Sequence, residues 1–316
     1  MGPFHADELR AQQLAGGGAA GGGIRAFMPD QHRRFFEALP YLFLGVSDSD
    51  GWPLATMLAG APGFLTAPDP WTLAIDGRPA DDDPAAGAIA VDAEIGLLGI
   101  ELATRRRNRA NGRVAAPHAG GFTVAVEESF GNCPQYIQVR TVRRTGPRVP
   151  QLRETLADLD QPAQALITRA DTFFVASRAR AGGADVSHRG GRPGFVGLSG
   201  DTLVIPDFRG NRYFNTLGNL LGEPRAGLLF VDFESGDMLQ LQGRAEIEWD
   251  GETAAHFFAG AERIWRFHVA RGWRRRAALP FAFDLVEASP FLAQTGTWPA
   301  IAGGSSARLS DPPPAV

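Results

Sequence analysis

Gly227-Leu228-Leu229 repeats Gly96-Leu97-Leu98 at an offset of 131 residues. The same offset carries Gly63-Phe64-Leu65 onto Gly194-Phe195-Val196 and Gly112-Arg113 onto Gly243-Arg244, and Trp71–Ile75 matches Asp201–Ile205 at 130. Apolar runs match by chance, but chance does not hold their spacing, so the chain carries two copies of one unit. Each copy is built from short strands. Tyr41–Val46, Pro53–Ala59, Gly63–Thr66, Trp71–Ile75, Ile95–Leu102, Phe122–Glu127 and Tyr136–Arg140 read as strands in the first half. Thr172–Ser177, Gly194–Leu198, Thr202–Ile205, Ala226–Phe233, Leu239–Glu248 and Phe281–Glu287 follow in the second. Strands at this spacing, with helices only at the margins, argue for closed or half-closed antiparallel barrels rather than βαβ units.

Helical spacing marks residues 4–14, a stretch from about Asp30 to Leu39, a short segment near Leu152–Leu159, Asn215–Leu221 and an amphipathic run Glu252–Val269. The glycines at 16–18 and 21–23 follow no strand and read as a flexible linker rather than a phosphate loop. The resulting organisation is an N-terminal extension (1–40), a first barrel (41–144), a linker helix (145–165), a second barrel (166–296) and a flexible tail (297–316).

Composition narrows the function. The 316 residues are 44% apolar, with a net charge of -4, so no global field favours nucleic acid or an acidic membrane. All 31 cationic side chains are arginine, which rules out lysine Schiff-base chemistry. Cys133 is the single cysteine, excluding intramolecular disulfides and cysteine-cluster metal sites. The histidines show no metal spacing, and neither a Walker loop nor a G-x-S-x-G elbow is present. No run reaches the length of a membrane span and no secretory signal is visible, so a cytoplasmic protein is expected.

Three stretches can carry chemistry. Asp207–Thr216 reads as a basic loop opening a helix, where Asn211, Arg212, Asn215 and Thr216 supply donors beside the positive helix end. The plain alternative is a solvated loop with an asparagine cap. Ser187–Gly191 reads as a polar turn in which Gly190 and Gly191 let backbone N–H groups face a flat ligand and Arg189 meets a phosphate or ring oxygen. An ordinary hairpin loop explains it equally well. Arg105–Arg109, with Asn108, either guards a strand edge or holds an anion.

These stretches, with Phe27–His32, Glu101–Arg109 and Ser129–Gln138, resemble the pyridoxamine 5'-phosphate oxidase-like family of flavin-binding split barrels, and most closely its long two-barrel subgroup without an assigned substrate. The resemblance spans residues 4 to about 296. It implies a mainly β fold of tandem Greek-key split barrels, with FMN bound at the interface between them. It places the phosphate against Arg189, Asn211, Arg212, Asn215 and Thr216, a strand contact at Phe195 and Val196, and Gln240 near the ring. The first barrel, whose matching loop Asp76–Gly87 is acidic, becomes a degenerate copy that supplies a lid through Arg107, Asn108 and Gln135. The helix entrance Phe214-Asn215-Thr216 lacks the Arg-Lys pair of the oxidases acting on pyridoxamine phosphate, so that substrate is not expected.

Two functions follow. One is an FMN-dependent oxidoreductase on a small molecule, reduced by a nicotinamide cofactor or a partner reductase, with no side chain assigned as acid or base. The other is a non-catalytic protein holding flavin, or heme through a histidine such as His188 or His118. The sequence leaves open whether the chain pairs into a homodimer.

Overall fold

A computed structural model describes residues 2–146 and 152–299. The first copy runs β1 (Tyr41–Ser47), β2 (Pro53–Ala59), β3 (Leu65–Asp69), β4 (Thr72–Ile75), β5 (Glu94–Glu101), β6 (Arg106–His118) and β7 (Gly121–Gly131). β8 (Val139–Arg144) and the short β9 (Glu154–Leu156) follow. The second copy runs β10 (Thr172–Arg178), β11 (Ala184–Gly190), β12 (Gly197–Ser199), β13 (Thr202–Phe208), β14 (Arg225–Val231), β15 (Met238–Glu248) and β16 (Ala261–Arg275), and ends in β17 (Phe281–Glu287). The helices are α1 (Ala6–Leu14), α2 (Asp30–Glu37), α3 (Gln161–Arg169), α4 (Asn215–Gly222) and α5 (Gly251–Phe257).

The duplication is visible in the ladders. One antiparallel sheet has the order β2-β1-β5-β6-β7-β4-β3, the other β11-β10-β14-β15-β16-β13-β12. Even the register carries over: Phe43 faces Leu98 and Phe174 faces Leu229, both 131 residues on. Helix α3 likewise stands 131 residues after α2. The strands after each copy, β8 and β17, pair with each other in a two-stranded ribbon. Fold and chain order are those of tandem split barrels, mainly β and antiparallel.

Each sheet wraps its own core, and a third core lies between them. That third core joins Tyr41, Phe43, Phe174, Phe281 and Phe283, all at most 5% exposed. At its centre Phe43 stacks on its own repeat equivalent, Phe174, at 3.7 Å and 19°, which marks a local twofold relating the copies. Burying a ring of this size contributes about 1.5–3 kcal/mol, so the copies form one cooperative unit rather than beads on a linker. The repeated glycines explain themselves here. A Cβ on Gly96 would lie 2.6 Å from the Asp185 Cα, and one on Gly227 would lie 2.8 Å from the Leu54 Cα. Leu54 and Asp185 are themselves repeat equivalents, so both glycines are points of backbone contact between barrels.

Several local expectations are corrected. The run 252–269 is not one helix: α5 stops at Phe257, Gly260 sits at φ +82°, and β16 begins at Ala261. Beyond that break Trp265 and Phe267 are buried while Arg266 and His268 are less so, a period of two that outweighs the helical spacing of the earlier residues. Leu152–Leu159 holds β9 rather than a helix, and Glu154 is fixed there by Arg274 and Arg276. Ser187–Gly190 lies in β11 rather than a turn, and Arg106–Arg109 opens β6 rather than trailing from a strand. The glycine run is not a free linker: Ala15 and Gly17 carbonyls accept from the Arg212 guanidinium. The tail expected over 297–316 is held at its start, where the Trp298 N–H donates to the Gly194 carbonyl at 2.9 Å; residues 300–316 lie outside the described residues.

Candidate functional site

Strand β11 is the edge of its sheet, and the first barrel and α4 pack against it. Along it Asp185, Ser187 and Arg189 alternate, each with a partner from a different element. Arg109 of β6 reaches across from the first barrel and donates to both Asp185 oxygens at 2.9 and 3.1 Å, to Ser187 and to Asn215 Oδ1 at 3.2 Å. Thr216 Oγ1 donates to Ser187 Oγ at 2.7 Å. Arg189 pairs with Asp207 at the end of β13, and Asp207 is shared with Arg263 of β16 at 2.9 Å. All of these groups but Asp185 line a cleft between the barrels with a volume of about 110 Å³.

Five arginines and two carboxylates line the cleft, so it is net cationic. Arg107, the residue two before Arg109 on β6, faces His188 Nδ1 at 3.1 Å and donates to the Cys133 carbonyl at 2.9 Å. Burial lowers the Arg107 guanidinium to about 10, so it stays charged near neutrality. His188 is pushed well below its ordinary value, first by burial and then by Arg107. It is therefore neutral, and its Nε2 is buried without a partner. At the other wall α4 begins after two residues in the left-handed region, Arg212 (φ 60°) and Phe214 (φ 63°). No side chain caps that helix start. Uncapped N–H groups beside guanidinium donors are the kind of arrangement that can accept an anion.

The rim comes from the loop after β7. Tyr136, itself at φ 62°, packs tilted against Phe208 at 5.2 Å and donates to the Arg209 carbonyl at 3.2 Å. Burial raises its phenol to about 12. The glycines below it differ from expectation. A side chain on Gly190 would strike the Tyr136 carbonyl, and one on Gly191 would strike the Phe195 ring. Both serve close packing within the protein rather than opening backbone to a flat ligand.

Of the residues singled out from sequence, Arg107, Gln135, Ser187, Arg189, Gly190, Phe195, Asn211, Arg212, Asn215 and Thr216 line this one cleft. Arg212 does so at the rim, with its guanidinium turned to the N-terminal segment. Gly191, Val196, Asn108 and Gln240 are not among the lining. Val196 is in the second core, and Asn108 alternates away from Arg107 and Arg109 along β6. Sequence reading missed Arg109 as the bridging donor, and Asp207, Arg263 and Tyr136. Arg263 was hidden by the misread helix; Tyr136 stood inside a recognised motif without a role.

The repeat-related position explains Gln240. It is the equivalent of Arg109, and it is fully buried on the opposite side of the twofold. There its amide donates to the Ala55 carbonyl at 3.0 Å and to Asp83 at 3.1 Å. Thr56, the equivalent of Ser187, donates to Asp83 at 2.5 Å. Arg275, which takes in β16 the ladder position that Asn132 takes beside Arg107, pairs with Asp83 at 2.8 Å and Asp82 at 2.9 Å. Of two symmetry-related sites, one is an arginine-lined cleft and the other is filled by an arginine of the chain itself.

Tandem split barrels with a basic cleft at their interface define the class. A family model described as pyridoxamine 5'-phosphate oxidase matches residues 159–290, most of the second copy. No curated protein gives a significant match. Among solved structures, HupZ of Group A Streptococcus is 19% identical over 36% of this chain and 92% of its own, with a TM-score of 0.30. An FAD-binding protein of Mesorhizobium loti is 16% identical over 40% and 99%, at 0.29. An FMN-binding protein of Syntrophomonas wolfei is 11% identical over 35% and 81%, at 0.28. Among the described residues no helix is long and apolar enough to cross a membrane, and no cluster of His, Cys, Asp or Glu is arranged to hold a metal.

Proposed function

We propose that the cleft binds FMN and that the protein is a flavin-dependent oxidoreductase acting on a small molecule. The observation that carries this is the convergence of Arg107, Arg109, Arg189 and Arg263 on an uncapped α4 N-terminus in one cleft. The donors suit a phosphate: planar guanidinium forks and free helix N–H groups. The volume of about 110 Å³ is small beside pockets that bury a whole cofactor, so it suits the phosphate end, with the rest of the ligand toward the Tyr136 rim.

Arg189 and the start of α4 would hold the phosphate. Asp207 and Asp185 keep Arg189 and Arg109 oriented through their ion pairs. Tyr136 and Phe208 would shield the mouth from water. When bound, FMN supplies hydride or single-electron transfer. His188, neutral and enclosed, offers no exchangeable proton to solvent. The absorption spectrum of the purified chain tests the proposal, with mass identification of any ligand released on denaturation. Flavin bands and released FMN are expected. A colourless chain that takes up no added FMN overturns it, and bound FMN that neither a reduced nicotinamide nor a reductase reduces would leave a binding protein without the redox activity.

A further inference from the structure

Behind the Arg109–Asp185 pair lies a second cavity, of about 370 Å³, between α1, β6, β7 and the turn before β11. Its lining has the opposite sign. Glu8, Glu127, Glu128 and Asp185 face it, against His5 and a single arginine, Arg113. We propose that this cavity binds an organic cation, an alkylammonium or guanidinium group carried by a small molecule.

The charges do not cancel within the protein. Asp185 is neutralised by Arg109, and Arg113 is divided between Glu94 at 3.2 Å and Glu127 at 3.4 Å. Glu8, 5% exposed, accepts from Asn215 at 2.6 Å and from the His5 backbone at 2.9 Å; its ionic contact is His5, at 3.5 Å, charged only when protonated. Glu128, half-buried on β7, has no arginine within ion-pair distance. Both carboxyls are held above their ordinary range, chiefly by burial; Glu8 and then Asp185 push Glu128 further. Negative charge held in a cavity without a counter-ion favours a cation entering it.

A second observation is independent of charge. Asn111, 9% exposed, lines the same cavity. Its Nδ2 donates weakly to Asp185 at 3.4 Å and its side chain also hydrogen-bonds Glu128, while its buried Oδ1 has no partner among the described residues. A buried amide oxygen left without a donor by the chain is open to a donor that enters the cavity. Cationic donors satisfy it and Glu128 together. The carboxylates do not converge as a metal site does, and the volume lies within the range of small-molecule pockets.

The test is calorimetric titration of the full chain with n-butylammonium and n-butylguanidinium at low salt, with Mg²⁺ and Ca²⁺ as parallel arms. It does not depend on what occupies the basic cleft. One equivalent of either organic cation is expected to bind, with Glu128→Gln weakening it at least tenfold and Asn111→Ala weakening it several-fold. Glu246→Gln, on a strand away from the cavity, is expected to leave it unchanged. No binding of either organic cation overturns the proposal, as does binding of the divalent ions alone. Binding unaltered in folded Glu128→Gln and Asn111→Ala proteins also overturns it.

Discussion

Arg109→Ala removes a side chain that ties β6 of the first barrel to both β11 and α4 of the second. The guanidinium, 7% exposed, satisfies both oxygens of Asp185, which is 4% exposed. Truncation leaves that carboxylate with Ser187 Oγ at 3.2 Å and Asn111 Nδ2 at 3.4 Å. Breaking a buried pair from one side costs about 3–5 kcal/mol. The two remaining donors place Arg109→Ala at the lower end, about 3 kcal/mol. For a chain of this length that lowers Tm by roughly 6 °C. The assay is calorimetric or circular-dichroism melting of the ligand-free protein, with denaturant titration to confirm an unchanged m value. The paired change Arg109→Leu with Asp185→Leu is expected to recover most of the loss, within about 1 kcal/mol of the parent, because no charge is stranded. An Arg109→Ala protein melting within 1 °C of the parent would refute the claim that this pair is buried and coupled across the interface.

Other outcomes follow from the same geometry. FMN is expected to bind at one equivalent per chain, weakened at least tenfold by Arg189→Ala; two equivalents by equilibrium dialysis would contradict the filled second site. His188 has its folded pKa depressed, so the unfolded chain binds the extra proton below about pH 6.5. Stability is therefore full above that pH and is lost as pH falls toward the folded value, by up to about 1.4 kcal/mol per unit. Comparing Cm for the parent and His188→Gln between pH 7.5 and 5.5 should show a shrinking gap, and a constant gap would discard the assignment. Gly227→Ala forces a methyl against the Leu54 and Pro53 backbone and is expected to cost about 1–3 kcal/mol. Gly87→Ala, with open space around it, should change stability by less than about 0.5 kcal/mol.

The duplication was legible because apolar strands and interface glycines repeat at fixed spacing, and both follow from packing that each copy must satisfy. The basic cleft was legible in part, since Arg189 and Asn211–Thr216 sit in short polar stretches. What stayed hidden is relational. Nothing local distinguishes Arg109 from Arg107, because their partners lie on β11, about eighty residues away. Gln240 was expected near a flavin ring from the family resemblance alone; its copy equivalent, Arg109, lines the cleft instead, and which of two equivalent positions faces the open side is decided across the twofold. Arg263 was lost to a helical pattern that only Gly260 interrupts. The acidic cavity could not be read at all, since Glu8, Asn111, Glu128 and Asp185 come from four separate elements.

The near-twofold between the copies has a consequence for how such a site can change. In a symmetric pair of identical chains, every substitution appears twice and both sites drift together. On one chain the halves are free to diverge. Here the change is concrete: Gln240 for Arg109, Thr56 for Ser187, and Arg275 inserted against Asp82 and Asp83. One position stays an open arginine-lined cleft while its twin is closed by a fixed internal ion pair, which works as a rivet between the copies.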